Sequence, residues 1–490
     1  MSIRALLRCL TALPITLGCS SAVTARPGTP LIEQVAIAMG GRSRILGIRT
    51  LVLQGTGDNH NLGQNLTPYA PLPVYAVTKY MRAMDFENAR WRLDQTREPR
   101  FPTANLLPQR QRNGFDVVGY DITSDTSMRR AGPRTTIDRA AELLYHPIGF
   151  MRAALAPGAN IVEDLAEGPN PTLRLTRGDE TYRLVVDGTT KLPLRIERTI
   201  YNSVLGDVVL ANEFSSWGLV SGGLLPTHIV QRVNGRWPLS DMHLTGAKTN
   251  GVIPDLSIPP SVRTAALVFT PVNVTADSVA PGVWFLAGGS HHSVAIEMKD
   301  HILLVEAPQS DDRTLAVIRR ARELRPGKPV RAVINTHHHF DHAGGFRAAV
   351  SEGLTVITHA GNKAFFDTVA VLPFTIVQDQ LAKSPQPANI VGVQGKHVLT
   401  DGARTVELHE ILGSTHSGSM LMAYLPAEKI LIEADLYTPP APNLVASTGY
   451  PFAANLLANI ERLGLVVERI VPIHGRVVPL SDLRAAAALR

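Results

Sequence analysis

The chain has 490 residues, with 44% hydrophobic and 18% charged residues, a composition that is typical of a folded globular protein and excludes an intrinsically disordered one. Its length exceeds that of one ordinary hydrophobic core, so two domains are expected. Lys and Arg number 48 against 42 Asp and Glu, and the resulting net charge of +6 includes no basic run of five residues. A nucleic-acid partner is therefore not expected.

The first 25 residues carry the features of an export signal. Two arginines precede a short apolar run, and the small residues that end at Ala25 match a signal-peptidase site. We therefore expect residues 1–25 to be removed and the mature protein to be periplasmic or secreted. Lipid anchoring at Cys19 is the alternative, which is less favoured because Thr16 stands where a lipobox normally has Leu. No other apolar run approaches the ~18–20 residues of a membrane span.

Both cysteines of the chain, Cys9 and Cys19, lie within this signal. A mature chain that begins after Ala25 would contain no thiol, so we expect no disulfide framework in spite of export. For the same reason, any metal site must be built from His, Asp and Glu alone.

Residues 26–275 are predicted to form a β-rich N-terminal domain. Helices are expected over Pro30 to Leu46 and near Ala140 to Leu155, whereas most of the remainder consists of short apolar or alternating runs that end in turn residues. Asp187-Gly188 and Asn234-Gly235 are hairpin signals. The pattern predicts a mainly antiparallel β domain with one or two helices.

Two segments of this domain, Val186 to Ile196 and Gly223 to Val230, resemble the curved-sheet proteins related to periplasmic lipoprotein carriers. The resemblance implies a half-barrel whose concave face is apolar and could receive an acyl group. A structural or dimerising β domain would contain the same turns, and the sequence does not decide between these two roles.

Residues 276–490 are predicted to combine short strands with helices. A helix is expected over Asp311 to Leu324, with Ser310 or Asp311 as its cap. Strands are predicted at Val283 to Ala287, Ser293 to Met298, His301 to Glu306, Val330 to Asn335, Leu354 to Thr358, Thr405 to Leu412, Met420 to Leu425, Lys429 to Ile432 and Arg469 to Ile473. This order is typical of an αβ/βα sandwich of four layers, in which loops at one edge of two packed sheets carry the ligands. The whole chain is therefore predicted to be α+β.

A dense group of metal-binding side chains follows one of these strands. His337, His338, His339, Asp341 and His342 place four histidines and an aspartate within six positions. Imidazole nitrogens and carboxylate oxygens are the ligands that a divalent metal such as zinc takes. In an extended loop, positions i and i+2 point to the same side, so His337 and His339 can bind one ion. If the chain bends after them, Asp341 and His342 can face a second ion.

This pattern, His-x-His-x-Asp-His, resembles that of the metallo-β-lactamase superfamily. The resemblance implies three further ligands, each placed after a strand, and His416, Asp435 and His474 occupy such positions. It implies two Zn²⁺ ions, with iron or a mixed pair as alternatives. One ion would be held by His337, His339 and His416 and the other by Asp341, His342 and His474, with Asp435 as the bridge.

The resemblance also implies a hydrolase in which metal-activated water attacks a small-molecule substrate, with Asp341 and Asp435 as catalytic residues. A bridging Asp without a Cys ligand is more similar to the hydroxyacyl-thioester hydrolases and lactonases than to the true β-lactamases. Cleavage of an ester, lactone or thioester, with an apolar or acyl-bearing substrate, is therefore the favoured interpretation. The alternatives are phosphodiesterase or β-lactamase activity, a mononuclear-iron sulfur dioxygenase, and a non-catalytic periplasmic lipid-binding protein.

Further residues are candidates for substrate contacts. His291 and His292 lie on a predicted turn at the mouth of the site, and His292 is predicted to contact the substrate. Tyr437 follows the bridging Asp in a Pro-rich loop and is predicted to form part of the substrate wall. His338 alternates away from the ligands and is predicted to be structural. The sequence gives no prediction of the oligomeric state.

Overall fold

The structure is a computed structural model that describes residues 30–102, 106–220, 223–267, 271–441 and 452–489. The predicted export signal and the alternative lipidation site at Cys19 lie outside the described residues. Within them, no helix combines the length and the apolar composition that crossing a bilayer requires.

One antiparallel sheet of thirteen strands dominates the N-terminal part of the chain. Its spatial order is β6-β5-β4-β3-β2-β1-β13-β12-β11-β10-β9-β8-β7. The strands are β1 (Thr50–His60), β2 (Val74–Asp85), β3 (Arg90–Pro99), β4 (Gln109–Asp116), β5 (Val118–Ser124), β6 (Ser127–Arg130), β7 (Asn160–Glu167), β8 (Asn170–Arg177), β9 (Glu180–Val186), β10 (Pro193–Asn202), β11 (Gly206–Val220), β12 (Gly223–Val233) and β13 (Trp237–Thr249). Both predicted hairpins are present, since β9 pairs with β10 and β12 pairs with β13.

Short helices cover one face of this sheet: α1 (Leu31–Ala38), α2 (Arg42–Gly47), α3 (Pro133–Ala141) and α4 (Pro147–Ala154). The first predicted helix is split into α1 and α2, and the second, predicted near Ala140 to Leu155, covers only the end of α3 and the whole of α4. The first breaks at Gly40 and Gly41, which both have a φ of +101° that other residues rarely adopt. The second breaks at His146, which is extended because the residue before a proline disfavours the helical conformation.

One cavity of the N-terminal part has a mixed polar and apolar lining. A cavity of about 270 Å³ opens in the thirteen-stranded sheet, and its lining combines Trp91 and other apolar side chains with polar ones such as Gln95. The Arg82–Glu142 ion pair, with its charged atoms 2.7 Å apart, also lines it. The polar part of this lining does not suit a purely apolar acyl chain, because burying such groups against hydrocarbon is costly.

Two further sheets form the C-terminal part. The second sheet contains β14 (Thr275–Ala280), β15 (Val283–Ala287), β16 (Ser293–Glu297), β17 (Ile302–Val305), β18 (Val330–Ile334), β19 (Thr355–His359) and β20 (Asn389–Val393). The third contains β21 (Lys396–Thr400), β22 (Thr405–Glu410), β23 (Leu421–Leu425), β24 (Ile430–Glu433), β25 (Arg469–Pro472) and β26 (Val478–Pro479). Their strand pairings are mixed, with parallel pairs from β17 to β20 and between β24 and β25.

The helices of this part are α5 (Pro260–Arg263), α6 (Asp311–Leu324), α7 (Phe340–Ala343), α8 (Phe346–Ser351), α9 (Ala360–Val371), α10 (Gln380–Lys383), α11 (Ala453–Arg462) and α12 (Leu480–Ala488). The side chain of Ser310 accepts a hydrogen bond from the Arg313 amide and caps α6, as the sequence predicted.

Three apolar cores show that these elements form four layers. The central core joins the inner faces of the two sheets, for example Ile334 of β18 and Ile432 of β24. Helices α6, α8 and α9 bury residues such as Phe366 against the second sheet. Helices α11 and α12 bury residues such as Leu456 and Leu483 against the third sheet. The predicted α+β class with an αβ/βα sandwich is confirmed.

Candidate metal centre

All seven predicted metal ligands converge at one edge of the two C-terminal sheets. The ligand-bearing segments follow β18, β22, β24 and β25, so the strands themselves fix where each side chain emerges. Two groups of potential ligand atoms form there, and within each group the atoms lie within 4.8 Å of one another. The first group is His337, His339, His416 and Asp435, and the second is His291, Asp341, His342 and His474.

The first group surrounds one oxygen of Asp435. Nε2 of His416 lies 2.9 Å from Asp435 Oδ2, and Nε2 of His337 lies 3.4 Å from the same oxygen. The two Nε2 atoms are 3.4 Å apart. His339 completes the group, with its ring centroid 4.4 Å from that of His337.

The second group surrounds the other oxygen of Asp435. Nε2 of His474 and Nε2 of His342 lie 2.7 Å and 3.1 Å from Asp435 Oδ1. Asp341 Oδ2 is 3.9 Å from His342 Nε2 and 3.1 Å from Nε2 of His291. The Asp435 carboxylate therefore stands between two sets of imidazoles, one set on each oxygen.

Asp435 reaches this position through an unusual backbone conformation. Its φ is +64°, in the left-handed region that residues other than glycine rarely adopt. The preceding Glu433 is fully buried and accepts hydrogen bonds from the amides of Leu436 and Tyr437, which holds the turn in place. Backbone strain of this kind persists where the surrounding structure fixes it, and it is common at functional sites.

Hydrogen bonds to the outer ring nitrogens orient four of the histidines. The acceptors are Thr336 Oγ1 for His337 Nδ1 at 3.0 Å, Asn65 O for His339 Nε2 at 2.9 Å, Glu306 Oε2 for His342 Nδ1 at 3.3 Å and Ser290 O for His474 Nδ1 at 2.9 Å. Each bond leaves the other nitrogen of the ring aimed at the centre. Such bonds fix the tautomer of metal-binding histidines.

The residues fit a pair of divalent cations. The clearest sign is Nδ1 of His339, which is buried and has no hydrogen-bond partner among the described residues. A buried nitrogen without a partner is costly, and a metal ion would satisfy it. The donor set of imidazoles and carboxylates without thiolate suits zinc and also iron.

Burial and charge set the protonation of the group. Burial lowers the pKa of His337 to about 3, so this ring is neutral and can donate its lone pair. Burial also acts to lower the pKa of His342, but the carboxylates of Asp435 and Glu306 outweigh it and raise the pKa well above the usual value. Burial disfavours the charged form of Asp435, yet His342 and His416 hold its pKa well below the usual range. The centre thus attracts positive charge.

Neither of the two predicted substrate contacts is among the described residues that line the cavity over the metal ligands. His292 is buried with its ring 4.6 Å from that of Phe285, and it is not among the described residues that line the cavity over the metal ligands. Tyr437 packs in the core beneath α11, and Thr438 lines the cavity instead. His291, the neighbour of His292, faces Asp341. His338 lies outside both ligand groups, as predicted, with its ring against Phe365.

Sequence reasoning missed two residues that support the centre. Glu306 is fully buried, accepts a hydrogen bond from the Thr336 amide at 2.7 Å and contacts His342. Gln64, on the loop between β1 and β2, donates from Nε2 to Asp341 Oδ1 at 2.8 Å. An acidic residue at the end of the apolar strand β17 was the only signal for Glu306, and no local signal marked Gln64.

A third group of potential ligands lies on the thirteen-stranded sheet. It consists of His228, Asp241 and His243, with the two rings stacked 4.3 Å apart. His228 Nε2 lies 2.7 Å from Asp241 Oδ1, and its Nδ1 lies 2.9 Å from Ser215 Oγ. The His243 side chain is 68% exposed, so this group is a solvent-facing network separate from the buried centre.

The match to a family model covers the part of the chain that carries the two ligand groups. The family model of the metallo-beta-lactamase superfamily matches residues 287–474. One relative, the alpha subunit of 2,4-dinitroanisole O-demethylase from Nocardioides sp. (strain JS1661), is 24% identical over 244 residues, which are 49% of this chain and 66% of that protein. This chain therefore covers slightly less than two thirds of that relative's length.

Solved structures with low identity also align with part of the chain. The metallo-beta-lactamase from Pontibacter korlensis is 17% identical, with a TM-score of 0.34, and the alignment covers 44% of this chain and 98% of that one. The stereoselective inverting sec-alkylsulfatase from Pseudomonas sp. is 21% identical, with a TM-score of 0.34 and coverages of 44% and 40%. The family match spans the strands and loops that carry the ligand groups. Residues 287–474 therefore form a domain of the metallo-beta-lactamase superfamily.

Proposed function

We propose that the protein is an exported di-zinc hydrolase that cleaves an ester, lactone or thioester. The observation that carries this proposal is the Asp435 carboxylate, whose two oxygens each face two imidazole nitrogens at 2.7–3.4 Å. A carboxylate whose two oxygens each face a separate set of imidazoles is the arrangement expected of a bridge between two cations.

The residues that would hold the metals are the two ligand groups, joined by Asp435. Two zinc ions, when bound there, would supply a water of lowered pKa and a positive field for a developing oxyanion. Asp341 is held from both sides, by Gln64 on Oδ1 and by His291 on Oδ2. Burial disfavours the ionised form of Asp341, but the hydrogen bond from His291 and the charge of His342 keep its pKa below the usual value. An ionised, fixed carboxylate can orient the attacking water and accept a proton from it.

Elemental analysis together with a substrate panel tests this proposal. We expect nearly two zinc ions per chain and hydrolysis of members of a panel of chromogenic esters, lactones and thioesters. Asp435→Asn should lose metal and activity, whereas Asp367→Asn, which breaks an exposed ion pair with Lys363, should keep both. Full activity of Asp435→Asn, or a metal-free protein with wild-type turnover, would contradict the assignment.

The same panel separates the alternatives. Phosphodiesters and β-lactams test the other hydrolytic activities, and oxygen uptake with a persulfide by an iron-loaded protein would indicate a sulfur dioxygenase. Lipid that co-purifies with a metal-free protein would favour a binding role. Because the Nocardioides relative is named as a 2,4-dinitroanisole O-demethylase subunit, that methyl aryl ether belongs in the panel as well.

Export is tested separately from catalysis. We propose that residues 1–25 direct secretion and are cleaved after Ala25. N-terminal sequencing of the protein from the periplasm or medium should begin at Arg26, and a mature chain that retains Cys19 with an attached lipid would contradict this.

A further inference from the structure

The loop that connects β1 and β2 lies directly against the metal-binding loops of the other domain. Its backbone carbonyls at Gly63 and Leu66 accept hydrogen bonds from the amides of Phe340 and Gly418, at 3.1 Å and 2.6 Å. Between them, the carbonyl of Asn65 accepts from His339 Nε2 at 2.9 Å. Three successive anchor points fix this loop, residues 61–73, relative to the ligands. It is therefore a fixed part of the site.

The close approach depends on Gly63. Its φ is +81°, and a Cβ atom at this position would lie 2.2 Å from Cγ of Phe340. Only glycine lets the loop meet the Phe340 ring at this distance. Asn65 supports the same conformation, because its side-chain amide donates to the carbonyl of Ala70 at 2.7 Å within the loop.

Beyond these anchors the loop presents apolar side chains to a cavity of about 550 Å³ above the ligands. Phe101, which follows β3, packs edge-on against Tyr75 with ring centroids 5.0 Å apart. Phe452, from the other domain, lies 5.2 Å from the ring of His416. The apolar members of the lining are Leu66, Pro71, Leu72, Pro73, Tyr75, Phe101, Pro102 and Phe452.

The cavity is thus polarised. His339, His416, Asp435 and His474 line its floor, whereas the β1–β2 loop and Phe101 form an apolar wall. Among the described lining residues there is no Lys or Arg. Among these described residues, a substrate with an additional anionic group would find no basic partner, but an apolar group would lose water-exposed surface on entry.

We propose that the N-terminal domain completes the active site and that its β1–β2 loop, with Phe101, forms a binding subsite for the apolar acyl chain of the substrate. The scissile carbonyl then lies at the ligand floor and the chain extends along the wall. This inference rests on the proposed hydrolase function, whose substrate class it narrows to esters or thioesters with an apolar acyl chain.

Chain-length dependence tests the subsite in two independent ways, both with the zinc-loaded full chain. The first is binding of sodium octanoate and sodium acetate, measured by isothermal titration calorimetry, which needs no turnover. The second is kcat/KM for 4-nitrophenyl octanoate relative to 4-nitrophenyl acetate. Each buried CH₂ contributes about fourfold to affinity, so a partly buried chain should favour octanoate by at least about tenfold in both measurements.

Phe101→Ser and Leu66→Ser are the test variants, because Leu66 is 45% exposed and its replacement does not disturb a core. Each should reduce the ratio of the octanoate value to the acetate value about tenfold. Tyr69→Ser is the matched control, since Tyr69 belongs to the same loop, is 48% exposed and is not among the described lining residues. It should leave the preference unchanged.

The outcomes separate the subsite from the catalytic proposal. Octanoate binding that depends on Phe101 and Leu66, without hydrolysis of any ester, lactone or thioester of the panel, would support the subsite and overturn the hydrolase. Hydrolysis without any chain-length preference, or a preference that both variants retain, would overturn the subsite and leave the hydrolase standing.

Discussion

Gln64 Nε2 lies 2.8 Å from Asp341 Oδ1, although 277 residues separate the two in the chain. The bond joins the N-terminal β domain to the carboxylate that is proposed to orient the attacking water. Oδ2 of Asp341 faces His291 Nε2 at 3.1 Å, so Gln64 and His291 together fix the plane of the carboxylate. The position of Asp341 therefore depends on side chains from both domains.

Gln64→Ala should weaken the second ligand group. Without the amide donor, the Asp341 carboxylate can rotate away from His342, and the loss of such an outer hydrogen bond typically costs about 10–100-fold in metal affinity. The measurement is competition for Zn²⁺ with a chromogenic chelator. Gln386→Ala, which changes an exposed glutamine on the loop after α10, is the control and should keep wild-type affinity. Equal affinities for the two variants would show that Gln64 does not position Asp341.

Glu306→Gln should affect His342 in a similar way. The wild-type carboxylate accepts hydrogen bonds from the Thr336 amide and from His342 Nδ1. A glutamine keeps the shape but can present an amide donor to His342, which would favour the tautomer whose Nε2 carries the proton. We expect one of the two zinc ions to bind about tenfold more weakly. Glu323→Gln, which changes an exposed ion pair with Arg320, is the control and should bind both ions with wild-type affinity. Wild-type affinity in Glu306→Gln as well would show that Glu306 has only a structural role.

The metal ligands could be predicted from the sequence because each follows a locally recognisable strand. The predicted boundaries of β18, β24 and β25 agree with the structure within one residue and those of β22 within two, and the ligands lie on the loops that follow these strands. The end of a strand fixes both the position of the following side chains and the side of the sheet to which they point. Hairpins of the N-terminal sheet could also be predicted, because a turn such as Asn234-Gly235 is specified by adjacent residues.

The features that could not be predicted from the sequence depend on contacts between distant residues or on the direction of single side chains. Gln64 is one polar residue in a polar loop until the fold carries it to Asp341. Of the adjacent His291 and His292, the structure directs only His291 toward Asp341, because the amide of His292 bonds to the Ile473 carbonyl and its ring turns to Phe285. The pairing of β1 with β13 likewise joins residues about 190 positions apart, and no turn signal specifies it.

Arg313→Lys should destabilise the C-terminal domain and loosen the turn beside the metal centre. The Arg313 guanidinium is buried and donates to the carbonyls of five residues, Asn273, Leu286, Ala287, Gly288 and His291, at 3.0–3.4 Å. A lysine has one nitrogen and cannot reach all of them, so buried carbonyls lose their donors at about 1–3 kcal/mol each.

We therefore expect Arg313→Lys to lower the free energy of unfolding by about 2–4 kcal/mol in urea denaturation. The affinity for zinc should also fall, because Ser290, whose carbonyl orients His474, lies in the same turn. Arg319→Lys changes an exposed position of the same helix and should have no effect on either quantity. A stable Arg313→Lys variant would contradict the role assigned to this network.

His146→Asn should reduce the loss of unfolding free energy that occurs as the pH falls below about 6.5. His146 is buried beside the cavity of the thirteen-stranded sheet, where its Nδ1 accepts the amide of Ile148 at 3.3 Å, and burial lowers its pKa from 6.5 to about 3. The unfolded chain therefore binds a proton that the folded one excludes, and stability is lost as the pH falls below about 6.5. Between pH 6.5 and 5 this single group should lower the free energy of unfolding of the wild type by about 2 kcal/mol.

Asn keeps the N-cap of α4 without titrating, so the pH dependence of urea denaturation should be shallower by that amount. His397→Asn, on the partly exposed strand β21, should retain the wild-type slope, and an unchanged slope in His146→Asn would show that His146 is not the group responsible.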